Sequence, residues 1–153
     1  MPLNNLAPRA TLDVSRFPVV VATEIGTLPD RERTLWMEDL EGLLERRGRH
    51  ALVMDLTRGA QVPRDQRVYI ADAFGMHTQL IVAKWAGIAV VVRSPVLHHM
   101  SVAAFWLKIA PVPARMFPSV DAATAWARGC LSLVSTGEIP IVDDAQANPA
   151  KSG

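Results

Sequence analysis

Ala51-Leu52-Val53-Met54-Asp55-Leu56 and Ile88-Ala89-Val90-Val91-Val92 are two short apolar runs, each nearly free of polar residues. Runs of this length and composition are the pattern of strands covered on both faces, the usual state of strands in a parallel sheet. Between them Pro63 opens a stretch in which Ile70, Phe74, His77 and Ile81 recur at helical spacing. Strand, helix and strand in this order form a parallel pair joined by a right-handed crossover. His77 falls on the apolar stripe of that helix, where a hydrogen-bonded core histidine is expected.

The same alternation extends in both directions. Upstream, Thr11 to Val14 and Pro18 to Ile25 read as strands, the second rich in β-branched residues, and the short Ser15-Arg16-Phe17 connection makes them an antiparallel hairpin at the sheet edge. Thr27-Leu28-Pro29-Asp30 is a helix start, with Thr27 as the capping hydroxyl. Trp36, Leu40, Leu43 and Leu44 then form the buried stripe, Arg31, Arg33, Glu38, Glu41 and Glu45 fall on the opposite side, and Gly48 is the stop. Downstream, Ser94-Pro95 starts a helix with Val96, Met100, Ala103 and Leu107 on one face. Pro113 to Phe117 is a short strand. Ser119 caps a last helix carrying Ala123, Trp126, Cys130 and Leu133, closed by Gly137. The expected fold is α/β: a mixed, mostly parallel sheet of about five strands with four helices. Residues 1–10 are a loose leader, 11–137 a single domain, and 138–153, rich in Pro, Asp, Ala and Asn, a disordered tail.

Composition narrows the function classes. In 153 residues, 50% are hydrophobic and the net charge is +1, which suits one globular core and argues against nucleic acid as a partner. Cys130 is the one cysteine, so no internal disulfide forms, and no apolar run reaches membrane-spanning or signal-peptide length. A cytoplasmic location follows as the expectation. No phosphate-binding glycine loop, dinucleotide fingerprint or nucleophile elbow occurs. Adjacent His98 and His99 point about 100° apart on a helix and cannot share one ion without unusual geometry. No catalytic residue, metal or cofactor is therefore assigned, and the expected protein is not an enzyme.

In open parallel sheets, ligands collect at the carboxyl ends of the strands, where the next helices present their amino termini. Asp55, Thr57, Arg58, Arg64 and Ser94 should gather there. Arginine beside helix amino ends suits a small anionic ligand or an acidic protein partner, although Asp55 opposes an anion and pairs more naturally with an arginine or a turn. The alternative is that Ser94 is an ordinary cap and the arginines are solvated charges. Leu97, Met100, Phe105, Trp106 and Leu107 cover more than one face of the third helix, which is the motive for a possible homodimer.

Several stretches carry a family likeness: the opening strand into Gly26-Thr27-Leu28-Pro29-Asp30, then Ala51 to Thr57 with a helix after it. Lys84-Trp85-Ala86-Gly87 running into Ile88 to Val92, Ala114 to Ser119, and Ala122-Ala123-Thr124-Ala125-Trp126 complete it. In element order and pattern, residues 11–131 resemble the SpoIIAA-like, STAS-related family of bacterial domains. The resemblance implies the fold and a regulatory role exercised by binding proteins or small ligands at the same sheet edge. Phosphorylated members of that family carry an Asp-Ser-Ser/Thr-Gly-type motif at the start of the helix after the third strand. Here Ala60-Gln61-Val62-Pro63-Arg64-Asp65 occupies that place without a hydroxyl, so the phosphorylation switch is not implied. A lipid- or metabolite-binding carrier on the same architecture is the second reading, to be favoured by a cavity lined by Trp85, Phe105 or Trp106.

Overall fold

The structure, a computed structural model, describes residues 7–93 and 97–135. Five strands and five helices follow one another among them: β1 (Arg9–Asp13), β2 (Val19–Gly26), α1 (Asp30–Leu43), β3 (His50–Gly59), α2 (Arg64–Met76), α3 (Thr78–Lys84), β4 (Trp85–Val91), α4 (Leu97–Ile109), β5 (Ala114–Phe117) and α5 (Val120–Ser135). The sheet order is β1-β2-β3-β4-β5; β1 pairs with β2 antiparallel and every other neighbouring pair is parallel. The expected hairpin edge and parallel core are both present.

Strands laid down in sequential order leave little freedom to the helices. Each crossover is right-handed and advances the same way, so α1, α2 with α3, and α4 fall on one face, and α5 returns alone across the other. Side chains sort accordingly by strand parity. Val20, Leu52 and Ile88 lie in register, as do Ala22, Met54 and Val90, and both rows belong to the larger core with Trp36, Leu40, Phe74, Trp85 and Trp106. The alternate residues Val19, Ala51, Val53, Ala89 and Val91 form the smaller core beneath Ala123 and Ala127 of α5.

Small residues under α5 set its distance from the sheet. A Cβ built on Gly87 would stand 3.0 Å from Cη2 of Trp126 and 3.2 Å from Sγ of Cys130. The glycine before β4's apolar run is thus required by a neighbouring helix. Ser119 caps α5 as expected, its Oγ accepting from Ala122 N at 3.2 Å.

Five expectations are corrected. Five helices replace four, because the stretch opened by Pro63 breaks at His77. Thr78 Oγ1 donates to the carbonyls of Phe74 (2.9 Å) and Gly75 (3.0 Å), so a hydroxyl interrupts the ladder just after a glycine. His77 is consequently a half-exposed residue at the break, 3.9 Å from Glu41, and not a core histidine. Thr27 does not cap α1: its hydroxyl donates to Gln61 O, and Pro29 with extended backbone leads into the helix instead. Arg33, placed by its charge on the solvated side, is 2% exposed. Gly48, expected as the stop of α1, lies beyond it: the helix ends at Leu43, and Gly48 takes a left-handed conformation, φ +80°, in the connection to β3. On α4, Trp106 is buried and Phe105 and Leu107 pack partly buried against the larger core. Ser94 and Gly137 lie outside the described residues.

The core histidine is His50, fully buried at the start of β3 between Phe17 and Trp85, whose rings lie 5.8 Å from its own. Neither ring nitrogen meets hydrogen-bond geometry among the described residues, although the Gly48 backbone lies close enough to pull its pKa upward against the other effects. Burial first, and then the charges of Lys84 and Arg46, hold its pKa down at about 4 against 6.5 for a free histidine.

Two outcomes follow from this packing. Gly87→Ala should destabilise the domain by about 1–3 kcal/mol in urea unfolding, because the added methyl must displace Trp126 or the whole of α5. The second concerns pH. In the unfolded chain His50 protonates near 6.5, and in the folded chain only near 4, so its contribution is complete above pH 6.5 and is lost as pH falls towards 4. The loss amounts to at most about 3 kcal/mol. Unfolding free energies of the wild type and His50→Leu, each referred to its own value at neutral pH, should diverge across that window. Parallel curves would refute the assignment.

Candidate functional site

Two loops run side by side at the carboxyl edge of the sheet, and they are built alike. One leaves β2 at Gly26 and reaches Pro29 before α1; the other leaves β3 at Gly59 and reaches Pro63 before α2. Both prolines have extended backbone, and each carbonyl accepts the first helical bond, from Arg33 N and Arg67 N at 2.9 Å. Ala60 N donates to Gly26 O at 3.3 Å and ties the loops together. The amino ends of α1 and α2 therefore open side by side. Their first turns carry Asp30, Glu32 and Asp65, which complement the positive ends of the helix dipoles.

Beneath them lies a buried polar network that joins three elements. Arg33 of α1 donates from Nη2 to Glu24 Oε1 of β2 at 2.8 Å, and from Nε to Gln66 Oε1 of α2 at 3.0 Å. Gln66 Nε2 donates in turn to Leu28 O and to Asp30 Oδ1, both at 2.8 Å. The side chains of Arg33 and Glu24 are 3% and 4% exposed. Trp36 lies against the guanidinium, 5.1 Å from ring centre to Cζ. Two atoms are left over inside the network: Arg33 Nη1 and Glu24 Oε2 have no partner. Buried charge of this kind is costly unless matched, so the pair fixes α1 and α2 against β2.

Of the residues expected at this edge, Asp55 and Thr57 come together, with Thr57 donating to Asp55 Oδ1 from its backbone N at 3.1 Å and from its hydroxyl at 2.7 Å. The contact stabilises a bulge: Thr23 pairs with Asp55 but Ile25 with Arg58, so β3 carries an additional residue there. Asp55 thus holds a bulge within β3. Arg58 follows the bulge and Arg64 begins α2, and both are exposed. Ser94 lies outside the described residues. Glu24, Arg33 and Gln66 were missed by sequence reasoning, although spacing carried the signal. Glu24 shares the inward parity of Val20 and Ala22, Arg33 precedes Trp36 and Leu40 by three and seven residues, and Gln66 precedes Ile70 by four.

A crevice lined mainly by Met37, Leu40, Phe74, His77, Ile81 and Trp85 has a volume of about 10 Å³, at the lower limit for a single water. Among the described residues no group of three His, Cys, Asp or Glu side chains is placed to hold a metal, and no helix is long and apolar enough to cross a membrane.

The energetic role of the network is open to measurement. Arg33→Ala should cost about 3–5 kcal/mol in urea unfolding, because it leaves Glu24 buried without its partner. Replacing both partners with apolar residues, Glu24→Leu with Arg33→Met, should cost much less than that single change. A double variant as unstable as Arg33→Ala would show that packing, and not the ion pair, sets the loss.

With the geometry in view, the chain can be set against known proteins. No protein-family model matches it, and no curated protein matches it in sequence. Ten chains of solved structures are similar in shape, and two of them bear on the reading. One is an uncharacterised protein of the DUF3478 family with a SpoIIAA-like fold from Shewanella loihica PV-4: TM-score 0.61, 11% identity, covering 80% of this chain and 97% of that one. The other is an anti-sigma factor antagonist from Mycobacterium paratuberculosis: TM-score 0.51, 18% identity, covering 84% of this chain and 97% of that one. Identities this low speak for the fold alone, and the fold is SpoIIAA-like, STAS-related, as the sequence pattern implied.

Proposed function

We propose that this domain is a cytoplasmic regulatory module that acts by binding another protein, without catalysis and without a phosphorylation switch. One observation carries the reading. The carboxyl edge is an open polar surface held rigid from below, with α1 and α2 locked to β2 through Glu24, Arg33 and Gln66. A surface built this way suits recognition of a partner more than enclosure of a substrate. The likeness of fold to an anti-sigma factor antagonist supports it. The stretch from Ala60 to Asp65, where a switch would sit in that architecture, has no hydroxyl to phosphorylate.

Within this reading Asp55, Thr57, Arg58, Arg64 and Ser94 form the rim of the contact. Arg58 and Arg64 supply the positive charge, and Asp55 with Thr57 fixes the bulge that places Arg58. The carrier reading looks to a cavity lined by Trp85, Phe105 or Trp106, and the crevice beside Trp85 among the described residues, about 10 Å³, lends it no support.

The test is recovery of bound proteins from native lysate by the wild type and by Arg58→Ala with Arg64→Ala, compared after circular dichroism has shown both to be folded. Loss of two rim charges should weaken capture of the specific partner at least about fivefold and flatten its dependence on salt. Equal recovery and equal salt dependence would place the contact elsewhere on the molecule.

A further inference from the structure

The amino edge of the sheet, opposite the candidate site, is crowded with cations. Arg46, Arg47 and Arg49 lie in the connection from α1 to β3, Arg16 in the turn before β2, and Lys84 at the end of α3. Contacts with backbone and ring hold three of them in place. Lys84 Nζ donates to Arg46 O at 2.9 Å, Arg49 Nη2 donates to Trp85 O at 3.2 Å, and the Arg46 guanidinium stands 5.2 Å over the Phe17 ring. None of these cations has a carboxylate within ion-pair distance among the described residues. After burial itself, the charges of Lys84 and Arg46 lower the pKa of His50, so the positive field extends into the core. Part of the charge is absorbed locally. Helices α1 and α3 end beside the cluster, and each dipole supplies about half a negative charge. Glu45 and Asp13 flank it in sequence, although Asp13 is engaged by Ser15 N at 2.9 Å. An excess of about two positive charges is left.

The chain beyond α5 leaves the domain at this same edge. A Cβ on Gly87 would stand 3.2 Å from Sγ of Cys130, and Gly87 is paired with Ala51, which follows Arg49 and His50. Ser135 lies about 7.5 Å further along the helix than Cys130, past the amino ends of β3 and β4. Next in sequence is Thr136-Gly137-Glu138-Ile139-Pro140-Ile141-Val142-Asp143-Asp144, which carries three carboxylates and no cation. Gly137 and Pro140 suit an extended course over a helical one. Thr136 to Val142 can then span about 23 Å, enough to pass under the sheet from the layer of α5 to that of α1, two spacings of about 10 Å.

We propose that Glu138 to Asp144 forms a strap across the amino ends of β2, β3 and β4, with its carboxylates on the cluster of Arg46, Arg47, Arg49 and Lys84. Ile139 and Ile141 share one side of the extended segment and meet the exposed Pro18 and the half-buried Phe17. Asp143 and Asp144 reach Arg46 and Lys84, and Arg49 lies beneath the path. Tethering favours this occupant over a separate acidic chain, because a short linker holds the segment at an effective concentration on the order of millimolar. The strap shields the basic end of the domain and leaves the carboxyl edge uncovered, so the inference does not depend on the partner-binding reading.

The experiment uses the full chain with a nitroxide on Ala145→Cys; Cys130 is buried, which directs labelling to the introduced thiol. Paramagnetic broadening of amide signals is expected at Arg46, Arg47, Arg49, Lys84 and Trp85. Asp143→Asn with Asp144→Asn should reduce it at least about threefold, as should about 0.5 M salt, which screens surface charges. Arg47→Glu, at an exposed position, should weaken it likewise while the rest of the spectrum stays unchanged. Broadening confined to the residues around Ser135, or left unchanged by the aspartate substitutions, would overturn the inference. So would broadening of isotope-labelled protein without nitroxide when it is mixed with unlabelled protein that carries it, since the strap would then come from a second copy.

Discussion

A guanidinium buried beside one carboxylate determines how the upper half of this domain is assembled. Arg33 projects from the first helix into the interior and meets Glu24, which stands on the inward face of β2 where a hydrophobic residue would otherwise pack. Neither charge is tolerable there alone, since an unmatched ion in the interior costs several kcal/mol. Each therefore specifies the position of the other. Gln66 extends the constraint to α2, and through Leu28 O and Asp30 Oδ1 it fixes the loop that leads into α1. Apolar packing could bring the same elements together, but it would leave their rotation about the contact loosely defined. Hydrogen bonds with fixed donors and acceptors restrict it.

Below that network the domain follows from sheet topology. Sequential strands with right-handed crossovers put four helices on one face and leave α5 to cover the other. The two cores differ in kind as a result. The larger is filled by tryptophans and branched side chains in edge-to-face contact, with Trp36 and Trp106 rings 5.7 Å apart at 74°. The smaller one brings the helix close through Ala51, Gly87, Ala89, Ala123 and Ala127. At the carboxyl ends of β2 and β3 the exposed residues stand over the network of Glu24, Arg33 and Gln66.

The degree to which this was legible in the sequence differs by level. Strands β2, β3 and β4 could be read because they are apolar on both faces, and burial on both faces leaves no polar alternation to obscure them. The break at His77 could not, because the apolar stripe Ile70, Phe74, His77, Ile81 runs through it unchanged. The interruption comes from the Thr78 hydroxyl, a local competitor for carbonyls that hydrophobic spacing does not register. His50 was passed over for a related reason: it opens a strand at the sheet's amino end, where a titratable residue suggests solvent, yet Phe17 and Trp85 enclose it.

Arg33 shows why the candidate site was harder to read than the fold. Sorting a helix into apolar and charged sides assigns every arginine to water, an assumption that holds for most but not for one with a carboxylate waiting in the core. Position contains the information that residue type conceals. Arg33 lies on the same stripe as Trp36 and Leu40, Glu24 on the same face as Val20 and Ala22, and Gln66 on the same side of α2 as Ile70 and Phe74. One polar residue at an inward position reads as an exception. Three of them, on three elements that the topology makes neighbours, with matching charge and hydrogen-bonding capacity, form a buried network, and such a network holds the surface residues around it in place.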